Sequence, residues 1–86
     1  MSLRLDPDVV SADTDDGTVL LHQRTGRYWQ LNATGTDVLH HLLDGRQPDQ
    51  IAADLAARYQ VDLEQAERDV HAVIEHLRTA GLVANT

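Results

Sequence analysis

The stretch "TGRYWQLNATG", residues 25–35, decides the fold. Gly26 sits where a tight turn needs a residue free to adopt positive φ. Arg27 to Leu31, "RYWQL", then reads as a strand, because aromatic residues favour a pleated, half-buried surface. Side chains alternate along a strand, so Trp29 and Leu31 share the inward face while Tyr28 and Gln30 point the other way. Asn32 or Thr34 follows as a helix cap able to accept a backbone N–H. Val38, Leu39, Leu42 and Leu43 come next at helical spacing, and Gly45 closes that helix. The hydrophobic period thus changes from 2 to 3.6 within a few residues. The chain holds only two Tyr, one Trp and no Phe among its 86 residues, yet Tyr28 and Trp29 are adjacent here.

Upstream, "VVSADT" (9–14) and "TVLLHQ" (18–23) have strand character, and "DDG" (15–17) between them is a hairpin signal. Pro7 confines any earlier strand to an edge or a late start. Downstream, Pro48 suits the first turn of a second helix, whose stripe is Ile51, Ala52, Leu55, Ala56 and Tyr59. Asp62, with Gln65 three residues on, has the form of a capping box for a third helix. The stripe of that helix is Leu63, Ala66, Val70, Val73, Ile74 and Leu77, and Gly81 ends it. Leu82 and Val83 are expected to fold back on the core, and the last three residues to fray. The order predicts an α+β fold: a three-stranded antiparallel sheet followed by three helices, the inventory of a winged helix-turn-helix. Residues 1–86 form a single domain with an ordered core over about 5–83.

A chain this short buries roughly 60–65% of its unfolded surface, enough for one thin core and too little for a deep enclosed site. Cysteine is absent, which excludes disulfides, thiolate metal sites and cysteine nucleophiles, and fits a cytoplasmic location. No basic-then-apolar signal segment and no run of about 20 apolar residues is present, so no membrane association is expected. The net charge is −7, with eleven Asp and three Glu against seven Arg and no Lys. Such a surface repels phosphate backbones and favours basic partners, although the same charge also serves solubility.

Catalytic and metal-binding groups are not assembled by this sequence. His40 and His41 diverge by about 100° on a helix. His71 and His76 also lie off a common face, and His71 with Glu75 supplies only two ligands. Ser2 and Ser11 are the only serines, both in the acidic N-terminal arm, and Asp15 and Asp16 lie in a turn with no apolar pocket to raise a pKa. No catalytic residue, metal ligand or cofactor is therefore expected, and the chain reads as a non-enzyme. A DNA-binding winged helix is the competing reading, with Arg24 and Arg27 at a wing tip. From Asp62 to Ala80, however, five acids face two arginines, the wrong balance for a recognition helix. The stronger candidate surface is "RYWQL" itself. As the last strand of the meander it is an edge, and it lacks the Lys or Pro that usually blunts one. An extended peptide could add beside it, and the third helix could floor the groove with Val70, Val73, Ile74 and Leu77, about half of which must serve the core instead.

"VLLHQRTGRYWQLNATGTDVLHHLLDG" followed by "IAADLAARYQVDLEQAERDVHAVIEHLRTAGLV" resembles the PqqD family, the leader-recognition domains of clusters that make ribosomal, modified peptides. The resemblance runs from about residue 5 to 83, with "TGRYWQLNATG", "LLDG" and the "L…AGLV" ending as its main motifs. It implies a winged-helix-like domain without catalysis, in which a precursor's leader pairs antiparallel with the third strand and packs on the third helix. Carried onto this sequence, the peptide-binding residues are Arg27, Tyr28, Trp29, Gln30 and Leu31 on the strand, with Asp69, Val70, Val73, Ile74 and Leu77 on the helix. A stand-alone chain of this length is most similar to the recognition proteins of lasso peptide clusters. There the implied partners are a separate cysteine-type leader peptidase and an ATP-dependent cyclase. The peptide chaperone of pyrroloquinoline quinone synthesis is the alternative.

Overall fold

The computed structural model describes residues 3–85; Met1, Ser2 and Thr86 lie outside them, as does the expected fraying of Thr86. The elements are β1 (Leu3–Leu5), β2 (Val9–Thr14), β3 (Gly17–His22), β4 (Tyr28–Leu31), α1 (Ala33–Leu43), α2 (Pro48–Tyr59), α3 (Leu63–Thr79) and β5 (Val83–Asn85). Strands β2, β3 and β4 form the antiparallel sheet in that spatial order. This is the expected α+β arrangement, and among the described residues no helix is long and apolar enough to cross a membrane.

Helix α1 packs on one face of the sheet, and α2 and α3 pack against α1 and each other. Leu20 of β3, Val38, Leu39 and Leu42 of α1, Ile51 and Leu55 of α2, and Val70, Ile74 and Leu77 of α3 belong to one buried cluster. Leu82 and Val83 fold back into it as expected. Thr18 is the one buried polar residue among those described, and its hydroxyl donates to Asp13 Oδ1 at 3.0 Å. That bond removes most of the cost of burying a hydroxyl.

Three features depart from the sequence reading. The chain ends pair: β1 and β5 form a second, two-stranded antiparallel sheet with Leu3 opposite Asn85 and Leu5 opposite Val83. Ala84 and Asn85 are therefore in a ladder rather than frayed. Leu3 is buried beneath this ribbon, and its burial against the core gives the short strands a reason to form. The Asp62–Gln65 capping box is also not made. The Gln65 amide donates to Asp69 Oδ1 at 2.9 Å, and its oxygen accepts from Arg68 at 2.9 Å. An interaction along the helix has taken the side chain that a box would need. Leu63, counted in the core stripe of α3, is exposed.

At the junction of β4 and α1 the sequence reading holds. Asn32 Oδ1 accepts the Gly35 N–H at 2.8 Å, capping α1. Asn32→Ala is expected to lower stability by about 1 kcal/mol, measured as a shift of the urea midpoint without a change in slope.

Candidate functional site

Strand β4 is the open edge of its sheet. Its register on β3 sets Leu31 opposite Thr18, Gln30 opposite Val19, Trp29 opposite Leu20 and Tyr28 opposite Leu21. The His22 N–H donates to the Arg27 carbonyl at 2.9 Å. In an antiparallel ladder, bonded and non-bonded pairs alternate. Counting from Arg27, the N–H and C=O of Tyr28 and Gln30 then fall on the side away from β3. Two donors and two acceptors are therefore presented along the edge.

The side chains follow the expected alternation. Trp29 and Leu31 are half-buried against the core, while Tyr28 and Gln30 stand on the opposite, uncovered face, with Tyr28 67% exposed. Arg27 is exposed, and its guanidinium lies over the Trp29 ring, 5.1 Å from the centroid. This stacking shields one face of the indole and fixes the arginine at the start of the edge.

Beyond Leu31 the chain turns into α1 alongside α3. A cleft of about 350 Å³ opens there between Asn32, Thr34 and Gly35 on one wall and Asp69, Ala72 and Val73 on the other. A second, apolar pocket of about 220 Å³ adjoins it through Thr34 and Asp69 and is closed by Leu55, Tyr59, Val61 and Ala66. Gly35 is buried at the cleft wall, and a Cβ there would sit 3.3 Å from the Asn32 cap oxygen.

Of the five helix residues expected to bind peptide, two line this cleft. Asp69 is exposed and Val73 is half-buried, whereas Val70, Ile74 and Leu77 are core residues with almost no exposed surface. They hold α3 in place from beneath. Around the helix axis, Val73 lies about 60° and Asp69 about 100° from Val70, both in the same sense. The cleft is met by this flank and the apolar ridge by the core. Ala72, Asn32, Thr34 and Gly35 were not anticipated as lining residues. Ala72 carried a signal, since 69, 72 and 73 share one helix face.

Metal-ligating groups converge elsewhere. Ligand atoms of Asp6, Asp8 and His22 lie within 4.8 Å of one another, but Asp8 is already paired with Arg24 at 2.9 Å and Asp6 Oδ1 accepts the Asp8 N–H at 2.8 Å.

Comparison with known proteins bears on this edge and cleft. The profile described as "Coenzyme PQQ synthesis protein D (PqqD)" matches residues 17–83. No curated protein matches the chain. Among solved structures, "Lasso peptide synthetase B1 complexed with the leader peptide" is 40% identical, with a TM-score of 0.92 over 98% of this chain and 99% of that one. "TbiB1 in Complex with the TbiA(beta) Leader Peptide" is 35% identical, with a TM-score of 0.85 over 100% of this chain and 98% of that one. The match to the profile spans β3, β4 and all three helices, well over half of the chain, and on that ground the chain belongs to the PqqD family.

Proposed function

We propose that this protein is a non-catalytic recognition element that binds the leader of a ribosomally made precursor peptide. The leader adds as a strand beside β4 and packs side chains into the cleft against Asp69, Ala72 and Val73. The observation that carries this reading is the open edge of β4, with the Tyr28 and Gln30 backbone groups free to pair, directly beside an unfilled cleft on α3. Main-chain bonds would supply affinity, and pockets for alternate side chains would supply selectivity. Full-length likeness to two leader-bound B1 proteins supports the lasso peptide setting over pyrroloquinoline quinone synthesis.

The contribution to biosynthesis is tethering. A bound leader holds the scissile region of the precursor at high effective concentration for a separate cysteine-type leader peptidase, and the freed core passes to an ATP-dependent cyclase. The acid-rich α3, with Glu64, Glu67 and Asp69 exposed, repels nucleic acid and would speed encounter with a basic leader, and of these acids Asp69 is the one at the cleft.

The test uses Trp29, the only tryptophan. Titration with a synthetic lasso-precursor leader peptide is expected to give a saturable change in its fluorescence. Val73→Glu places a charge in the cleft without opening the core, and is expected to weaken binding about tenfold while the circular dichroism stays unchanged. Absence of saturable binding by the unmodified protein defeats the proposal.

A further inference from the structure

Among the described residues, Asp6, Asp8 and His22 form the one converging group of three metal-ligating side chains. It shares no residue with β4 or with the cleft on α3. Asp6 and Asp8 lie between β1 and β2, and His22 ends β3. The three meet only through the β2–β3 pairing, so their sequence spacing does not reveal them. One donor atom from each lies within 4.8 Å of the other two. The donors of a tetrahedral ion with bonds of about 2.0–2.2 Å stand about 3.4 Å apart, and side-chain rotation covers the difference.

The backbone beneath each donor is fixed separately. The Asp6 N–H donates to the Leu82 carbonyl at 2.9 Å, and the Asp8 carbonyl accepts from the Gln23 N–H at 2.8 Å. His22 sits opposite the buried Val9 in the β2–β3 ladder. Donors carried on a fixed backbone give up little conformational freedom when an ion binds.

The side chains have capacity for a ligand. Nδ1 of His22 is buried and has no hydrogen-bond partner among the described residues. It is a stranded donor in one tautomer and a stranded acceptor in the other, and either opposes folding. The acceptor form is the one that coordinates metals. Asp6 Oδ1 accepts the Asp8 N–H, and Asp8 Oδ2 pairs with Arg24 at 2.9 Å, so each carboxylate keeps a second oxygen. Arg24 offsets only one of the two negative charges. Its side chain is 77% exposed, and an exposed pair of this kind holds weakly.

We propose that Asp6, Asp8 and His22 bind one divalent transition-metal ion, with zinc the best fit. Two carboxylate oxygens and an imidazole nitrogen suit zinc, whereas magnesium and calcium take oxygen ligands. The role is structural. β1 belongs to the ribbon made by the chain ends, and β3 to the main sheet. An ion held from the end of β1 and the end of β3 clips the two sheets together. Because it binds only the folded state, it raises stability with its concentration. The site forms with or without a bound leader.

The test is calorimetric titration of zinc chloride into the tag-free, chelator-treated protein near neutral pH. One ion per chain is expected, with micromolar affinity and a melting temperature that rises with zinc and not with magnesium. Loss of an outer-shell partner alone costs about 10–100-fold in metal affinity, so Asp6→Asn and His22→Gln, which each remove a donor, are expected to weaken binding at least tenfold. Arg24→Ala removes the competing cation and no donor, and is expected to tighten binding severalfold, a gain that misfolding cannot produce. His71→Ala changes an exposed histidine on α3 and should stay within twofold. Absence of saturable zinc binding below millimolar concentration overturns the proposal. So does an affinity that falls in His71→Ala but not in Asp6→Asn or His22→Gln, since the ion would then sit on surface histidines. Weaker binding in Arg24→Ala overturns it as well, because Arg24 would then support the ion rather than compete with it.

Discussion

Gln30→Pro is expected to weaken leader binding at least tenfold while leaving the domain folded. The Gln30 N–H falls on the open side of β4, so its removal breaks no bond to β3. Proline is tolerated at such an edge position, and the preceding Trp29 is already in the extended conformation that a following proline requires. A peptide pairing there would lose a donor and keep an unsatisfied carbonyl, at a cost of about 2 kcal/mol. Gln30→Ala is the matching control: its side chain points to the uncovered face, so affinity should stay within threefold. Equal affinity of the proline variant and the parent, measured by fluorescence titration, would show that the leader does not pair with this strand. A parallel loss in both variants would assign the effect to the side chain.

Gly17→Ala is expected to remove about 3 kcal/mol of stability and to lower the melting temperature by about 15 °C. Gly17 starts β3 with φ +155°, beside the point where β4 ends. A Cβ built there would overlap the Leu31 carbonyl oxygen and sit 2.9 Å from its carbonyl carbon and 3.1 Å from that of Asn32. All three atoms are backbone, so no rotamer change relieves the overlap, and the β3–β4 register or the Asn32 cap must give way. Gly26→Ala is the comparison. It shares a positive φ, +74°, but a Cβ there meets nothing within 4 Å, so only the conformational penalty applies. A scanning calorimetry shift for Gly17→Ala no larger than for Gly26→Ala would refute the close-approach argument.

Most of the fold was legible because the decisive signals are local. The Asn32 cap, Pro48 at the first turn of α2, and the glycines ending α1 and α3 each act through one turn of chain. What escaped was set by distance. β1 and β5 are three residues each and pair across nearly the whole chain; neither is long enough to show a period of its own. Gly17 was legible as a turn residue, but the backbone of Leu31 against it was not. In the site, the strand half was readable because alternation assigns Trp29 and Leu31 to one face without further knowledge. The helix half was only partly so. A six-residue apolar stripe says which side of α3 is hydrophobic, but the neighbours decide where core stops and surface begins. Packing against α1 and α2 took Val70, Ile74 and Leu77 and left Val73 at the boundary.

The pairing of β1 with β5 has a further consequence for how the domain can be used. Leu3 and Asn85 face each other across one ladder, so the chain enters and leaves through a single seam about 5 Å wide. Such a unit behaves like a cassette. A host polypeptide could carry it as an insertion, since both junctions occupy one point on its surface.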